Sequence, residues 1–344
     1  MWHELEGSFE LQLVNPLVVK QRRGHKTDPA DSEWIAEQLQ IGGLPGSFVP
    51  PQSVQELRDL TRYRTALVQD RSRVANRIHR LLEDTGIKLS TVATDIMGVT
   101  GRLIFDAILR GQEDPGWLAD YAQSKLRSKK KELELVLRGH VTDHHRNLLR
   151  LFVEDYDAID LRITQLEQVL RQRCLEHQET ISRLREVPGI DETACWTILA
   201  EAGFDLQSFA SSGQFASWAG VAPGNYESAG KRKKVAALKG NRYLRRMLVQ
   251  VAWAATRKKD CFLRAFFFRV SARRGHLKAL VAVAHRIANI IYNIIRHQQC
   301  YRELGGNFYD LRNPLRTAKR LMQRIQAIGY EVEVRPSPST HWPT

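Results

Sequence analysis

The residues of this 344-residue chain best suited to chemistry gather between Trp218 and Ala255, in WAGVAPGNYESAGKRKKVAALKGNRYLRRMLVQVAWAA. A turn-rich loop (Pro223, Gly224, Asn225, Gly230) holds one serine, Ser228, and four cations follow it: Lys231, Arg232, Lys233 and Lys234. A hydroxyl beside an Ala-Gly pair and clustered cations is placed to meet a phosphate. The oxygen can attack phosphorus while ammonium and guanidinium groups offset the developing charge. A second loop, Lys239-Gly240-Asn241, then opens an apolar helix carrying Arg242, Arg245 and Arg246.

The charge is local. Between Glu227 and Lys278, sixteen Lys or Arg face only Glu227 and Asp260, an excess of fourteen that equals the net charge of the whole chain. Such a concentration suits a polyanion, because cations that neutralise phosphates release condensed counterions. A solvated helix face is the bland alternative, but here the cations alternate with Tyr243, Leu244, Trp253, Phe262 and Phe266 to Phe268, so they ride on packed helices.

Two other groupings carry weaker signals. Asp28 and Asp31 share a helix face at i and i+3, where two carboxylates can hold a divalent ion such as Mg²⁺ with help from elsewhere. On sequence alone the same residues read first as a helix start, with Asp28 or Thr27 as cap, Pro29 at the first helical position and Asp31 offsetting the dipole. In ISRLREVPGIDETACWTILAEAGF, the turn at Gly189 can present backbone amides to a phosphate, as helix-hairpin-helix modules do, or can simply join two helices. His140, His144 and His145 lack flanking carboxylates at ligand spacing and read as surface histidines. Four cysteines lie far apart with no CxxC pair, against a zinc ribbon or a disulfide framework and in keeping with a reducing cytoplasm.

The elements that must position these residues are mainly helical, and the length suggests two or three domains. Gly7 to Val19 alternates and then runs apolar around Asn15-Pro16, predicting one or two short strands. The helix after Asp28 sets Trp34, Ile35 and Leu39 on one side and ends at Gly42-Gly43. A long amphipathic helix follows from Ser53, with Val54, Leu57, Leu60, Tyr63, Leu67, Val74, Ile78, Leu81 and Leu82 inward; Leu126 to Leu184 continues the period as its partner, packed in a bundle or used in oligomerisation. Ala279 to Ile295 is apolar but interrupted by His285, Arg286 and Asn289 and too short to span a bilayer, so it reads as a buried helix. The first thirty residues lack the apolar core expected of a signal peptide. Tyr301 to Tyr330 repeats a helical pattern, EVEV closes as a strand or tail, and residues 336–344 read as a disordered tail.

Taken together, NPLVVKQRRGHKTDPADSEWIAEQL, SFVPP with its arginine-rich helix, VPGIDETA and GVAPGNYESAGKRKK…KGNRYLRRMLVQVAW resemble the DEDD-type transposases of bacterial insertion sequences, the insertion-sequence 110 family, which takes in the Piv-type DNA invertases. The resemblance runs from about Leu11 to Val334. It implies a ribonuclease-H-like (RuvC-like) α/β domain represented by residues 1–50, a helical coiled-coil region at 51–180, and a C-terminal transposase domain at 181–335. It also implies strand exchange on DNA through a serine matching Ser228, Mg²⁺ on an Asp, Glu, Asp, Asp set whose last pair matches Asp28 and Asp31, and a structured guide RNA in at least part of the family. The other expectations are a homodimer or homotetramer, no membrane, and a cytoplasmic, nucleoid-associated protein. The family's first Asp and its Glu should lie on strands well ahead of Asp28, yet only 27 residues precede it. The chain is therefore expected to lack an N-terminal segment. Two other readings stand beside the transposase: a non-catalytic nucleic-acid-binding remnant, and a junction-resolving nuclease in which water attacks.

Overall fold

The computed structural model describes residues 2–5, 7–14, 28–44, 46, 49–223, 227–228, 231–232 and 240–333. In chain order the elements are α1 Trp2–Leu5, α2 Asp28–Gln40, α3 Gln52–Asp84, α4 Val99–Leu109, α5 Pro115–Asp120, α6 Lys130–Val136, α7 Asp143–Arg173, α8 Gln178–Arg185, α9 Glu192–Ala202 and α10 Ser212–Trp218. The strands β1 Glu227–Ser228 and β2 Lys231–Arg232 follow, then α11 Arg242–Ala255, α12 Phe262–Arg274, α13 His276–His297, α14 Phe308–Leu311 and α15 Pro314–Gln326. The chain is thus mainly α. It divides into two compact units, Leu57–Ile181, and Met1–Glu56 with Ser182–Thr344.

The helical unit forms because α3 and α7 each carry an apolar stripe at three-to-four spacing. Val74, Ile78, Leu81 and Leu82 of α3 join Ile104, Phe105 and Ile108 of α4 and Leu149 of α7 in one core. Arg64 meets Glu167, and Arg71 meets Asp160, so rising numbers on α3 pair with falling numbers on α7 and the two helices run antiparallel. Arg102 pairs with Asp157, and Arg71 and Arg102 lie 5.9 and 5.7 Å from the Tyr156 ring centre. Much of the arginine in this region is therefore internal glue. The expected inward face needs one correction: Tyr63 is 53 % exposed, while Thr61 two residues earlier is buried. Two residues on a helix are about 200° apart, so both cannot face the core. Of the three histidines, His140 lies in the connection before α7, and His145 completes a capping box with Thr142 at the start of α7, beside His144.

The other unit is built on α13. Ala279, Val283, Ala284, Ile287, Ala288, Ile291, Ile294 and Ile295 recur at helical spacing and are buried, and α10, α11 and α12 pack against them. By length and composition α13 could cross a membrane, but half of its apolar window is packed inside the unit, as a core helix requires. The tight α12–α13 corner turns on Gly275 at φ +81°, a conformation open to glycine. Tyr292 ties α13 to the preceding chain by donating to the Phe209 carbonyl at 3.0 Å.

The first fifty residues differ from expectation. In place of strands, the described part of 7–19 makes an antiparallel bridge from Val14 to Gly46, supported by Gln12 Nε2 donating to the Leu44 carbonyl at 2.7 Å; residues 15–19 lie outside the described residues. Helix α2 forms, but none of its residues is buried, and Ile35 and Leu39 are exposed. No layer among the described residues covers the face they share, and no ribonuclease-H-like sheet is seen among them. Helices α14 and α15 also bury no residue, 331–333 form no strand, and the tail after 333 lies outside the described residues.

Candidate nucleic-acid interface

The basic loop is anchored at its base. Helix α10 ends at Trp218, whose carbonyl accepts from the Asn241 amide at 3.0 Å. A Cβ on Gly240 would strike the backbone of Trp218 and Gly220, so the chain leaves and returns at one point only because residue 240 is glycine. Asn241 then starts α11, its side chain accepting from the Tyr243 and Leu244 amides at 3.0 and 3.1 Å. Its Nδ2 donates at 2.7 Å to Glu201, a carboxylate on α9 that is 1 % exposed. One asparagine thereby fixes the loop to the packed helices beneath it.

Within this loop β1 and β2 pair antiparallel, Glu227 opposite Arg232 and Ser228 opposite Lys231. The two residues that connect them, 229 and 230, lie outside the described residues. Ser228 is the last paired residue before the tip, with a lysine as its cross-strand neighbour. Lys233, Lys234 and Lys239 lie outside the described residues.

On α11 the apolar face, Leu244, Leu248, Val251, Ala252 and Ala255, is buried, leaving Arg242 and Arg246 exposed and Arg245 half-buried. The Arg242 guanidinium lies 4.7 Å from the Tyr243 ring centre and donates to the Tyr243 hydroxyl at 2.7 Å. Two turns beyond Arg246, Trp253 is 48 % exposed with Arg257 5.4 Å over its ring. A cation-backed indole is a surface on which a nucleobase can stack. By sequence Trp253 reads as a packed aromatic; its place on the Arg242–Arg246 side, at steps of three to four residues, is the signal that marks it as a surface residue.

Two sequence candidates stand apart from this face. Gly189, at φ +90°, turns α8 into α9, and a Cβ there would come within 2.5 Å of the Val251 carbonyl and 2.8 Å of the Ala255 amide. Close packing against α11 accounts for the glycine. Asp28 and Asp31 lie in the first turn of α2, where the helix dipole favours carboxylates. Ser32 Oγ donates to the Asp28 carbonyl at 2.9 Å. Among the described residues no group of three or more His, Cys, Asp or Glu side chains is arranged to hold a metal. A divalent ion wants about six oxygens, so this pair does not by itself make the implied Mg²⁺ site.

The chain resembles known proteins in two stretches and along most of its length. Residues 181–267 match the family described as "Transposase IS116/IS110/IS902 family", and residues 4–87 match the DEDD transposase family of the IS110 type. The second match begins at residue 4 and lends no support to a missing N-terminal segment. The "Probable family 20 transposase" of Pseudomonas aeruginosa is 26% identical over 305 residues, covering 86% of this chain and 80% of the relative. The transposase for insertion sequence element IS1111A of Coxiella burnetii is 25% identical over 85% of this chain and 72% of its own length. That for element IS1328 of Yersinia enterocolitica is 27% identical over 73% of this chain and 65% of its own. The 181–267 match takes in the anchored loop, Ser228 and the cationic face of α11, and with the match at 4–87 it identifies this chain as a transposase carrying domains of the IS116/IS110/IS902 and DEDD IS110 types.

Proposed function

We propose that this transposase recombines DNA through a covalent serine intermediate. What supports the reading is the pairing of Ser228 with Lys231 beside the tip of a hairpin whose loop is pinned at its base. The Ser228 oxygen forms a bond to phosphorus as the bond from phosphorus to the leaving deoxyribose oxygen breaks. The serine proton passes to a base, and the leaving oxygen takes up a proton. One phosphodiester replaces another, so a hydroxyl from a second strand can reverse the step without external energy. Lys231, Arg232, Lys233, Lys234 and Lys239 in the loop, with Arg242, Arg245 and Arg246 on α11, bind phosphates and offset the developing charge.

Asp28 and Asp31 are proposed as two of the ligands of Mg²⁺, the remaining oxygens coming from beyond α2. The family resemblance also supports a ribonuclease-H-like character for 1–50, a coiled-coil role for 51–180, a transposase domain at 181–335, a dimer or tetramer, a structured guide RNA and action at the nucleoid.

The test is recombination of DNA that carries the element's ends. Ser228→Ala should abolish product while moving DNA affinity by no more than about fivefold, because one neutral hydroxyl contributes on the order of 1 kcal/mol. Asp28→Asn or Asp31→Asn should lower product and spare affinity; if the pair serves only the helix start, Asn substitutes well and product persists. Recombination by Ser228→Ala would overturn the proposal. A second reading, a nucleic-acid-binding chain without catalysis, draws on the lack of a third metal-ligating side chain among the described residues; it predicts binding with no product from any variant.

A further inference from the structure

A second cationic site lies away from the serine hairpin. A groove of about 1250 Å³ runs between α12 on one wall and α14 and α15 on the other. Along α12 the lining positions are Ala265, Phe268, Arg269, Ala272 and Arg273, one stripe at three-to-four spacing in which the alanines leave the space that the arginines border. The far wall brings Arg316, Arg320 and Arg324 from α15. In all, seven lining residues are Lys or Arg and one, Asp310, is acidic.

Two features point to an anionic strand. Helix α15 buries no residue, so burial does not hold it against a wall of like charge; a polyanion between the walls would neutralise both. Phe268 is 52 % exposed on the groove with the Arg264 guanidinium 5.5 Å over its ring, and Arg269 sits 4.6 Å from the Tyr309 ring centre, its guanidinium supported from behind. Backbone-tracking cations with an exposed aromatic make the pattern of single-strand binding, whereas a duplex presents its bases only edge-on.

We propose that this groove binds one unpaired strand of the DNA on which the transposase acts. The inference rests on the reading that DNA is the substrate, and not on Ser228 as nucleophile. Most of the groove lies beyond residue 267, where the matched transposase family ends.

The test measures binding of the full-length protein to a fluorescent oligothymidine, to the same strand in duplex, and to oligouridine, each across a salt series. The variant Arg316→Gln/Arg320→Gln/Arg324→Gln should keep wild-type helicity, since it alters no buried residue. With three strand phosphates no longer neutralised, at roughly 0.7 each, its salt slope for oligothymidine should flatten by about two and its binding weaken roughly 50-fold at 0.15 M salt. Bromodeoxyuridine strands should photocrosslink to the peptide holding Phe268 in wild type and not in the variant. An unchanged slope, an equal loss for duplex, or a loss for oligouridine with oligothymidine spared would each overturn the proposal. Ser228→Ala should leave the salt slope for oligothymidine unflattened and move its affinity by no more than about fivefold. If that variant still recombines DNA, the serine mechanism fails while the groove assignment stands.

Discussion

Asn241 shows how one side chain can serve both fold and site. It caps α11 and holds the buried Glu201, so Asn241→Ala should cost about 1–2 kcal/mol, read as a lower urea midpoint, and should speed amide exchange in Arg242 to Leu244. Stability equal to wild type would show that the cap is not what fixes the loop base. Gly189 separates packing from binding. With φ at +90° and backbone of α11 against its Cβ position, Gly189→Ala should lose about 1–3 kcal/mol while the folded fraction binds DNA normally. Intact stability with abolished binding would instead make the turn a phosphate ligand. Ser228 and the cations around it were legible in sequence because they are neighbours there. Glu201, 40 residues from Asn241, and the approach of Gly189 to α11 were not, because nothing local signals which distant group completes a cap or fills a turn.

Helix starts in the C-terminal unit repeat this dependence on distant partners. Cys261 makes no side-chain cap for α12; Glu303 does so from 41 residues away, accepting from the Phe262 amide at 2.8 Å. Burial alone would push the Glu303 carboxyl up, but bonds from the Phe262 and Gly305 amides and the Tyr301 hydroxyl outweigh it and hold it below the usual carboxylate range. Burial, with the Glu303 charge, pushes the Tyr301 hydroxyl above its ordinary value. A carboxyl depressed in the folded state stabilises above its unfolded value, near 4.3, and loses that contribution as pH falls through the folded one. Urea unfolding should therefore show Glu303→Gln weaker than wild type at pH 7, with the gap closing below about pH 4; a gap that grows on acidification would contradict the cap. Exchange should also rank the helices, fast in α2 and α15, which bury nothing, and slowest in α13. Periodicity revealed α3, α7 and α13, where a continuous core enforces it. It also placed α2, whose apolar stripe has no described layer to cover it.

Across the molecule, charge sorts the two units. In the helical unit Arg64, Arg71 and Arg102 are matched by acids on α7, whereas the stretch from Glu227 to Lys278 carries an excess equal to the net charge of the chain. Reversing Lys231, Arg232, Lys233 and Lys234 to Glu should lower the salt slope of duplex binding by roughly 0.9 for each phosphate no longer neutralised, and an unchanged slope would remove the hairpin from the interface. Counting charge along the chain found this stretch. It missed the groove lined by α12 and α15, because the α15 cations follow a long apolar helix and only folding brings them opposite Arg269 and Arg273. The central claim is the serine, and the most direct measurement traps it. Protein incubated with a nicked suicide DNA carrying the element's end, then digested and examined by mass spectrometry, should yield the hairpin peptide with a nucleotide esterified to Ser228, and none from Ser228→Ala. A nucleotide on any other residue, or product strands formed with no covalent protein adduct at any time, would contradict the account.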